Sequence, residues 1–347
     1  MKLRHFSELD GVRGLAAFMV IFFHYFNVID PTNFLLRGLK QVAVFGQTGV
    51  SLFFVLSGFL ITRILFNEKW HNDYFKNFFF RRALRIFPLY FLFLIIFYYL
   101  VPLVSLESNS APNWYFWVYL QNIAMTFNWP NNGPSHFWSL AVEEHFYLFW
   151  PFVVFFFNER KVMFIGITLI FISFVFRFIL TQANFESFYF TLTRMDDLVL
   201  GTFLAVFEKK KLITSKSKKY FSFAFIILLL LNLVPWLFAE HLSHFWLQIF
   251  KYPLISTLYF TLIGLLISPS ANNFINIFNF SWLRFSGKIS YGLYVYHPLV
   301  FMLSEKYFQI NNVFIEFGCL LLLTVAVSIV SFYAYENQFL KLKKYFV

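Results

Sequence analysis

Arg13 and His24 stand eleven residues apart, with only Gly, Leu, Ala, Phe, Met, Val and Ile between them. On an α-helix, at about 100° and 1.5 Å per residue, eleven steps return both side chains to one face, roughly 16 Å apart along the axis. An ionisable group inside an apolar span is costly unless it faces a bundle interior or a wet cavity, so the pair marks a candidate site. An arginine snorkelling at a helix start and a histidine hydrogen-bonded in a core account for the same residues structurally.

A second constellation runs from Ser135 to Tyr147 and contains His136, Ser139, Glu143, Glu144 and His145. Ser139, Glu143 and Tyr147 follow an i, i+4, i+8 spacing, which stacks them as a polar stripe on one helix face. If this helix enters from outside, Glu143 lies about one and a half turns below the outer surface, about as deep as His24. A histidine and a carboxylate at one depth make a general base and the group that orients it. A glutamate that hydrogen-bonds Tyr or Trp for packing is the structural alternative.

The elements that must position these residues follow from composition. Of 347 residues, 59% are hydrophobic, 24% aromatic and 13% charged, and mean hydropathy is +0.65. A soluble domain carries about 25% charged residues, so the chain reads as an all-α polytopic membrane protein. The net charge of +11 sits in Lys and Arg clusters between apolar spans and speaks of topology rather than of a nucleic-acid partner. The single cysteine, Cys319, excludes a disulfide framework or a Cys-rich metal site. No metal site is expected: His241 and His244 have no third ligand nearby. The first apolar stretch lacks a small-residue cleavage site and reads as a retained helix.

Ten spans are expected, at 11–29, 42–66, 84–104, 138–157, 162–180, 190–207, 221–239, 252–267, 289–305 and 313–334, each near the 20 apolar residues a bilayer requires. Segments that alternate to one side hold Lys2 and Arg4, then Arg63 to Arg85, Lys209 to Lys219, and finally Lys341 to Lys344. By the positive-inside rule both termini are expected in the cytoplasm of a multi-pass plasma-membrane protein. The outer segment 105–137 has no Lys or Arg, and its Trp and Asn residues suit either a sugar-facing surface or an interfacial aromatic belt. No internal repeat or second domain is visible, so 1–347 reads as one integral-membrane domain. Gly46, Gly49 and Gly58 are expected to permit close helix packing.

Taken in order, several motifs resemble those of membrane acyltransferase family 3. Arg13, ten residues and His24, preceded by Leu9-Asp10-Gly11-Val12, resemble its Arg-x10-His signature. Phe53 to Ile61, around Ser57, is similar to its second-helix motif, and Arg81 to Tyr90 to the basic stretch before its third helix. His136 to Tyr147 resembles the His-x-Trp-Ser and Ser-x3-Glu-x3-Tyr region, while Arg194-Met195-Asp196 and Ser290 to Pro298 match less specific motifs. Some members continue into an extracytoplasmic esterase-like domain. This chain is expected to resemble the stand-alone members, acting alone or handing its acyl group to a separate extracytoplasmic partner.

The resemblance implies an O-acyltransferase that takes an acyl group from cytoplasmic acyl-CoA, acetyl-CoA foremost. The acceptor is then a hydroxyl of a surface polysaccharide, a lipopolysaccharide or a lipid-linked sugar, with no tightly bound cofactor. His24 is the expected base, with Glu143 and Glu144 beside it and Ser139 or Tyr147 completing the network; direct attack and a covalent acyl-enzyme both stay open. Arg13, Arg82 and Arg85 are the expected donor-phosphate ligands, although positive-inside anchoring explains the loop arginines equally well. Asp10, Ser57, His136, Arg194, Asp196 and His297 are supporting candidates. Arg194 and Asp196 read either as sugar contacts or as a buried pair, and His297, before Pro298, as a site residue or a kink stabiliser. A transporter or flippase for a glycolipid or small metabolite is the competing function, since intramembrane Arg, His and Glu also build proton-coupled pathways.

Overall fold

The computed structural model describes residues 3–102, 113–237, 244–269, 276–307 and 310–346. These residues form helices and no strand, an all-α polytopic membrane protein. The longer helices are α1 (Ser7–Phe26), α2 (Phe34–Gly46), α3 (Gly49–Glu68), α4 (Tyr74–Ile95), α5 (Trp138–Phe156) and α6 (Glu159–Gln182). They continue with α7 (Met195–Lys209), α8 (Ser215–Leu237), α9 (His244–Ile267), α10 (Ser281–Lys288), α11 (Ser290–Tyr307) and α12 (Val313–Ser331). Helix therefore occupies each of the ten expected spans within the described residues.

Six stretches are long and apolar enough to cross a membrane by length and composition: Ser7–Phe26, Phe34–Glu68, Tyr74–Leu100, Glu159–Gln182, Phe245–Ile267 and Val313–Tyr345. Asparagine side chains start three of the helices. Asn33 accepts from Leu36 N at 2.9 Å, Asn158 from Lys161 N at 3.0 Å and Asn312 from Phe314 N at 3.0 Å, each satisfying an orphan N–H of a first turn.

Two expectations are corrected. The third span starts at Tyr74, ten residues before the expected 84, so Arg81, Arg82 and Arg85 lie on α4 and not in a loop before it. Hydropathy places the boundary where charge ends, whereas arginine is a good helix former and Tyr74 and Phe78, both buried, anchor the added turns. The outer segment carries structure: within 113–137 there are helical turns at Trp114–Trp117, Gln121–Thr126 and Ser135–Phe137. Gln121 donates to Phe137 O at 2.8 Å and Asn122 to Thr191 Oγ1 at 2.8 Å, so these two amides hold the segment down, while Asn128 and Asn132 are exposed. Residues 105–112, and His241, lie outside the described residues.

The chain divides into two compact units. The first comprises Met1–His5, Ser51–Phe78 and Ile96–Ala271; the second comprises Phe6–Val50, Phe79–Ile95 and Asn272–Val347. In the first unit α3 lies directly on α7, and a Cβ at Gly58 would collide with the Leu198 carbonyl oxygen. Lower along the same helix Thr62 Oγ1 meets Thr202 Oγ1 at 2.8 Å and accepts from Trp150 Nε1 at 2.8 Å, polar contacts that hold helices together where hydrophobicity supplies no driving force. In the second unit a Cβ at Gly46 would collide with the Met19 carbonyl, so α2 packs backbone to backbone on α1. A core of Tyr25, Phe26, Ala43, Val300 and Leu320 joins α1, α2, α11 and α12.

Candidate functional site

His24 lies in the last turn of α1, and the neighbouring Tyr25 ties that turn down. The Tyr25 hydroxyl makes hydrogen bonds to Val313 O at 2.9 Å and Glu316 Oε2 at 2.8 Å, and its ring stands 5.7 Å from Phe301. With the helix end fixed, the His24 ring faces His297 of α11, centroids 4.9 Å apart. Nδ1 of His24 lies 3.0 Å from His297 Nε2 and 3.0 Å from the Val20 carbonyl oxygen. Nδ1 of His297, fully buried, lies 3.0 Å from the Leu293 carbonyl oxygen.

These contacts set the tautomers. A carbonyl oxygen only accepts, so His297 Nδ1 carries the proton, and in the neutral ring Nε2 carries the lone pair. His24 Nδ1 then faces two acceptors and must donate. The lone pair of neutral His24 is thereby left on Nε2, which makes no hydrogen bond among the described residues. A proton arriving at Nε2 gives an imidazolium whose Nδ1–H is already held by His297 and Val20, the arrangement a general base requires. His297 thus holds His24 Nδ1–H, and it also caps the Leu293 carbonyl in the turn before Pro298.

Arg13, on the face of α1 that His24 shares, pairs with Asp10 at 3.1 Å, both side chains partly exposed. A surface pair of this kind is worth about 0–1 kcal/mol. Arg81, Arg82 and Arg85 are half-buried on α4 of the same unit.

The remaining candidates belong to the first unit. Glu143 and Glu144 sit half-buried on α5; Ser139, buried, donates to His136 O at 3.3 Å, and Tyr147 OH meets Ser57 Oγ at 2.5 Å. The expected Arg194–Asp196 pairing is corrected. Positions i and i+2 point to different sides of a helix. Arg194 stands 2.8 Å from Asp197 Oδ2, at i+3, and donates to Ser51 Oγ at 2.6 Å, whereas Asp196 is bridged by Arg177 of α6. Asp197 also accepts from Ser256 of α9. All four charged residues are at most 2% exposed.

Nε and Nη1 of both arginines meet no hydrogen-bond acceptor among the described residues. They lie instead against rings: Arg194 is 4.7 Å from the Tyr252 centroid and 5.3 Å from Phe188, and Arg177 is 5.5 Å from Phe174. The aromatic faces supply the negative potential that the two carboxylates leave unfilled. Ser51, Tyr252 and Ser256 were not legible as partners, because nothing in their local sequence distinguishes them from ordinary helix residues.

A family model described as an acyltransferase domain matches residues 6–333, and the chain belongs to this family, acyltransferase family 3. Among its relatives is the peptidoglycan O-acetyltransferase OatA of Listeria monocytogenes serovar 1/2a, 29% identical over 338 residues, covering 89% of this chain and 51% of that protein. The O-acetyltransferase OatA of Staphylococcus aureus (strain NCTC 8325 / PS 47) is 26% identical over 337 residues, covering 88% and 52%. The chain spans about half the length of these relatives. No solved structure matches it.

Proposed function

We propose that the chain is a membrane-bound O-acyltransferase that moves an acetyl group from acetyl-CoA to a hydroxyl of a cell-surface carbohydrate. The observation that carries this reading is the open Nε2 of His24, presented as a base by the His297 pair. His24 removes the proton of the acceptor hydroxyl as the oxygen attacks the thioester carbonyl; the C–S bond breaks and CoA leaves as thiolate, which takes up a proton. Arg13, with Arg82 and Arg85, holds the donor's phosphates, and the roughly 16 Å from Arg13 to His24 suits an extended pantetheine arm. Glu143 and Glu144 remain candidate acid–base groups, with Ser57, Ser139 and Tyr147 as hydrogen-bonding support. The relatives' names favour peptidoglycan as the acceptor class.

Mass spectrometry of surface glycans from cells with and without the gene tests the reading: an acetyl ester missing from the deletion strain is expected, and an unchanged glycan profile counts against it. Arg13→Ala should raise the apparent KM for acetyl-CoA about tenfold or more with little change in kcat, as expected for a lost charged hydrogen bond. A change confined to the acceptor KM would remove Arg13 from the donor site.

His297 is a positioning residue, and its replacements separate that role from packing. His297→Leu keeps bulk but offers no acceptor to His24 Nδ1–H, and activity should fall about 10- to 100-fold. In His297→Gln the amide oxygen can accept that proton, so activity should recover most of the loss. Equal loss in both variants, with both proteins folded, would contradict the tautomer argument.

A further inference from the structure

Helix α10 follows a turn at Ile277–Asn279 and belongs to the second unit. Its start is tied to the start of α1: Ser7 Oγ donates to Asn279 Oδ1 at 2.8 Å, and Asn279 Nδ2 donates to Glu8 Oε1 at 3.3 Å. A Cβ at Gly287 would collide with the Asp10 carbonyl oxygen, so α10 rests backbone to backbone on α1. Leu283, Ser286 and Gly287 make up that inner face and are buried.

At about 100° per residue, the outward face of α10 divides into two edges. Trp282 and Phe285, at i and i+3, form one; Trp282 is 59% exposed, and Phe280, just before the helix, 53%. Arg284 and Lys288, at i and i+4, form the other, and both are exposed. Neither is paired with a carboxylate among the described residues; the Lys288 ammonium lies 5.0 Å from the Phe332 ring centroid and 5.3 Å from that of Tyr333. Two cations at this spacing repel each other, and an anion between them turns the repulsion into attraction on both sides. A helix that carries aromatic residues along one edge and basic residues along the other fits the boundary between acyl chains and headgroups.

We propose that α10 is a membrane-surface helix whose Arg284 and Lys288 bind the phosphate of an anionic phospholipid in the cytoplasmic leaflet. On the expected count of spans, 276–288 follows the eighth and faces the cytoplasm, where the negative surface potential of the bilayer attracts basic residues. The arginine fork takes two phosphate oxygens and the lysine adds a point charge. A zwitterionic headgroup carries an ammonium of its own, which the two cations repel, so the site selects lipids of net negative charge. Trp282 and Phe285 enter the top of the acyl layer. These cations are not the ones assigned to acetyl-CoA, so the lipid site is separate from the donor site.

The test is native mass spectrometry of the purified full chain in detergent, titrated with phosphatidylglycerol or with phosphatidylcholine of equal chain length. Wild type should bind phosphatidylglycerol about tenfold more tightly. The double variant Arg284→Gln, Lys288→Gln should lose about tenfold in that affinity and most of the preference, while the charge-keeping exchange Arg284→Lys, Lys288→Arg should retain both. Replacing Lys216 and Lys219, exposed at the start of α8, by glutamine should change neither. Equal affinity of wild type for the two lipids, unchanged affinity in the double variant, or an equal loss on removing the α8 lysines would overturn the proposal. A wild-type dimer that the double variant loses, with its lipid adducts unchanged, would assign the face to a second copy and overturn it too. In nanodiscs, lipid brominated near the top of its acyl chains should quench the emission that wild type has and Trp282→Phe lacks. Unquenched emission would place that edge in water and contradict the proposal.

Discussion

Acyl transfer by the His24→Ala protein is expected to fall by about 10²- to 10⁴-fold, the usual contribution of a positioned general base. The fold should survive the change. His24 is half-buried in the last turn of α1, whose anchoring rests on Tyr25 and Phe26 and on the core shared with α11 and α12. What folding loses is the hydrogen bonding of one N–H, shared between His297 Nε2 and the Val20 carbonyl oxygen, about 1 kcal/mol. Donor affinity should also survive, because Arg13 stands roughly three turns away on the same helix. Turnover of acetyl-CoA in detergent, with size-exclusion profile and donor binding measured beside it, separates the outcomes; turnover at the wild-type level would remove His24 from the chemistry.

The largest stability effect is expected in the first unit. Arg177→Ala would leave Asp196 as an uncompensated buried charge, and removal of one partner from such a pair costs about 3–5 kcal/mol. Its neighbourhood amplifies the loss, since Arg177 also donates to Thr193 O at 2.5 Å and lies 5.8 Å from the ring of Tyr252, which Arg194 shares. A double replacement of Arg177 by Met and Asp196 by Leu should recover most of that stability, because the desolvation of both charges disappears together. Thermal unfolding in detergent distinguishes the two variants. A single mutant as stable as wild type would mean that the pair is solvated, which its burial contradicts.

The helices were legible in the sequence because bilayer-length apolar runs announce themselves by composition alone. Where hydropathy and helix propensity disagree, as in Tyr74 to Arg85, the sequence boundary falls where the charge ends and misses the helix start. The fine pairing was less legible. Arg194 with Asp197 follows from i, i+3 geometry and could have been read directly, whereas Arg177 with Asp196 depends on how α6 and α7 are rotated against each other. His24 and His297 are separated by 273 positions, and no spacing rule connects them. Both were recognisable as candidates because each is an ionisable residue in an apolar run. That their nitrogens meet, and that two backbone carbonyls decide which nitrogen keeps its lone pair, required the packed helices.

Acetyl-CoA turnover by the purified wild-type chain, in the presence of a peptidoglycan-type acceptor, tests the central claim most directly. The account predicts free CoA thiol and acetyl ester appearing in equal amounts, with both products lost in the His24→Ala protein. Movement of donor or acceptor across proteoliposomes with no thiol released would contradict it.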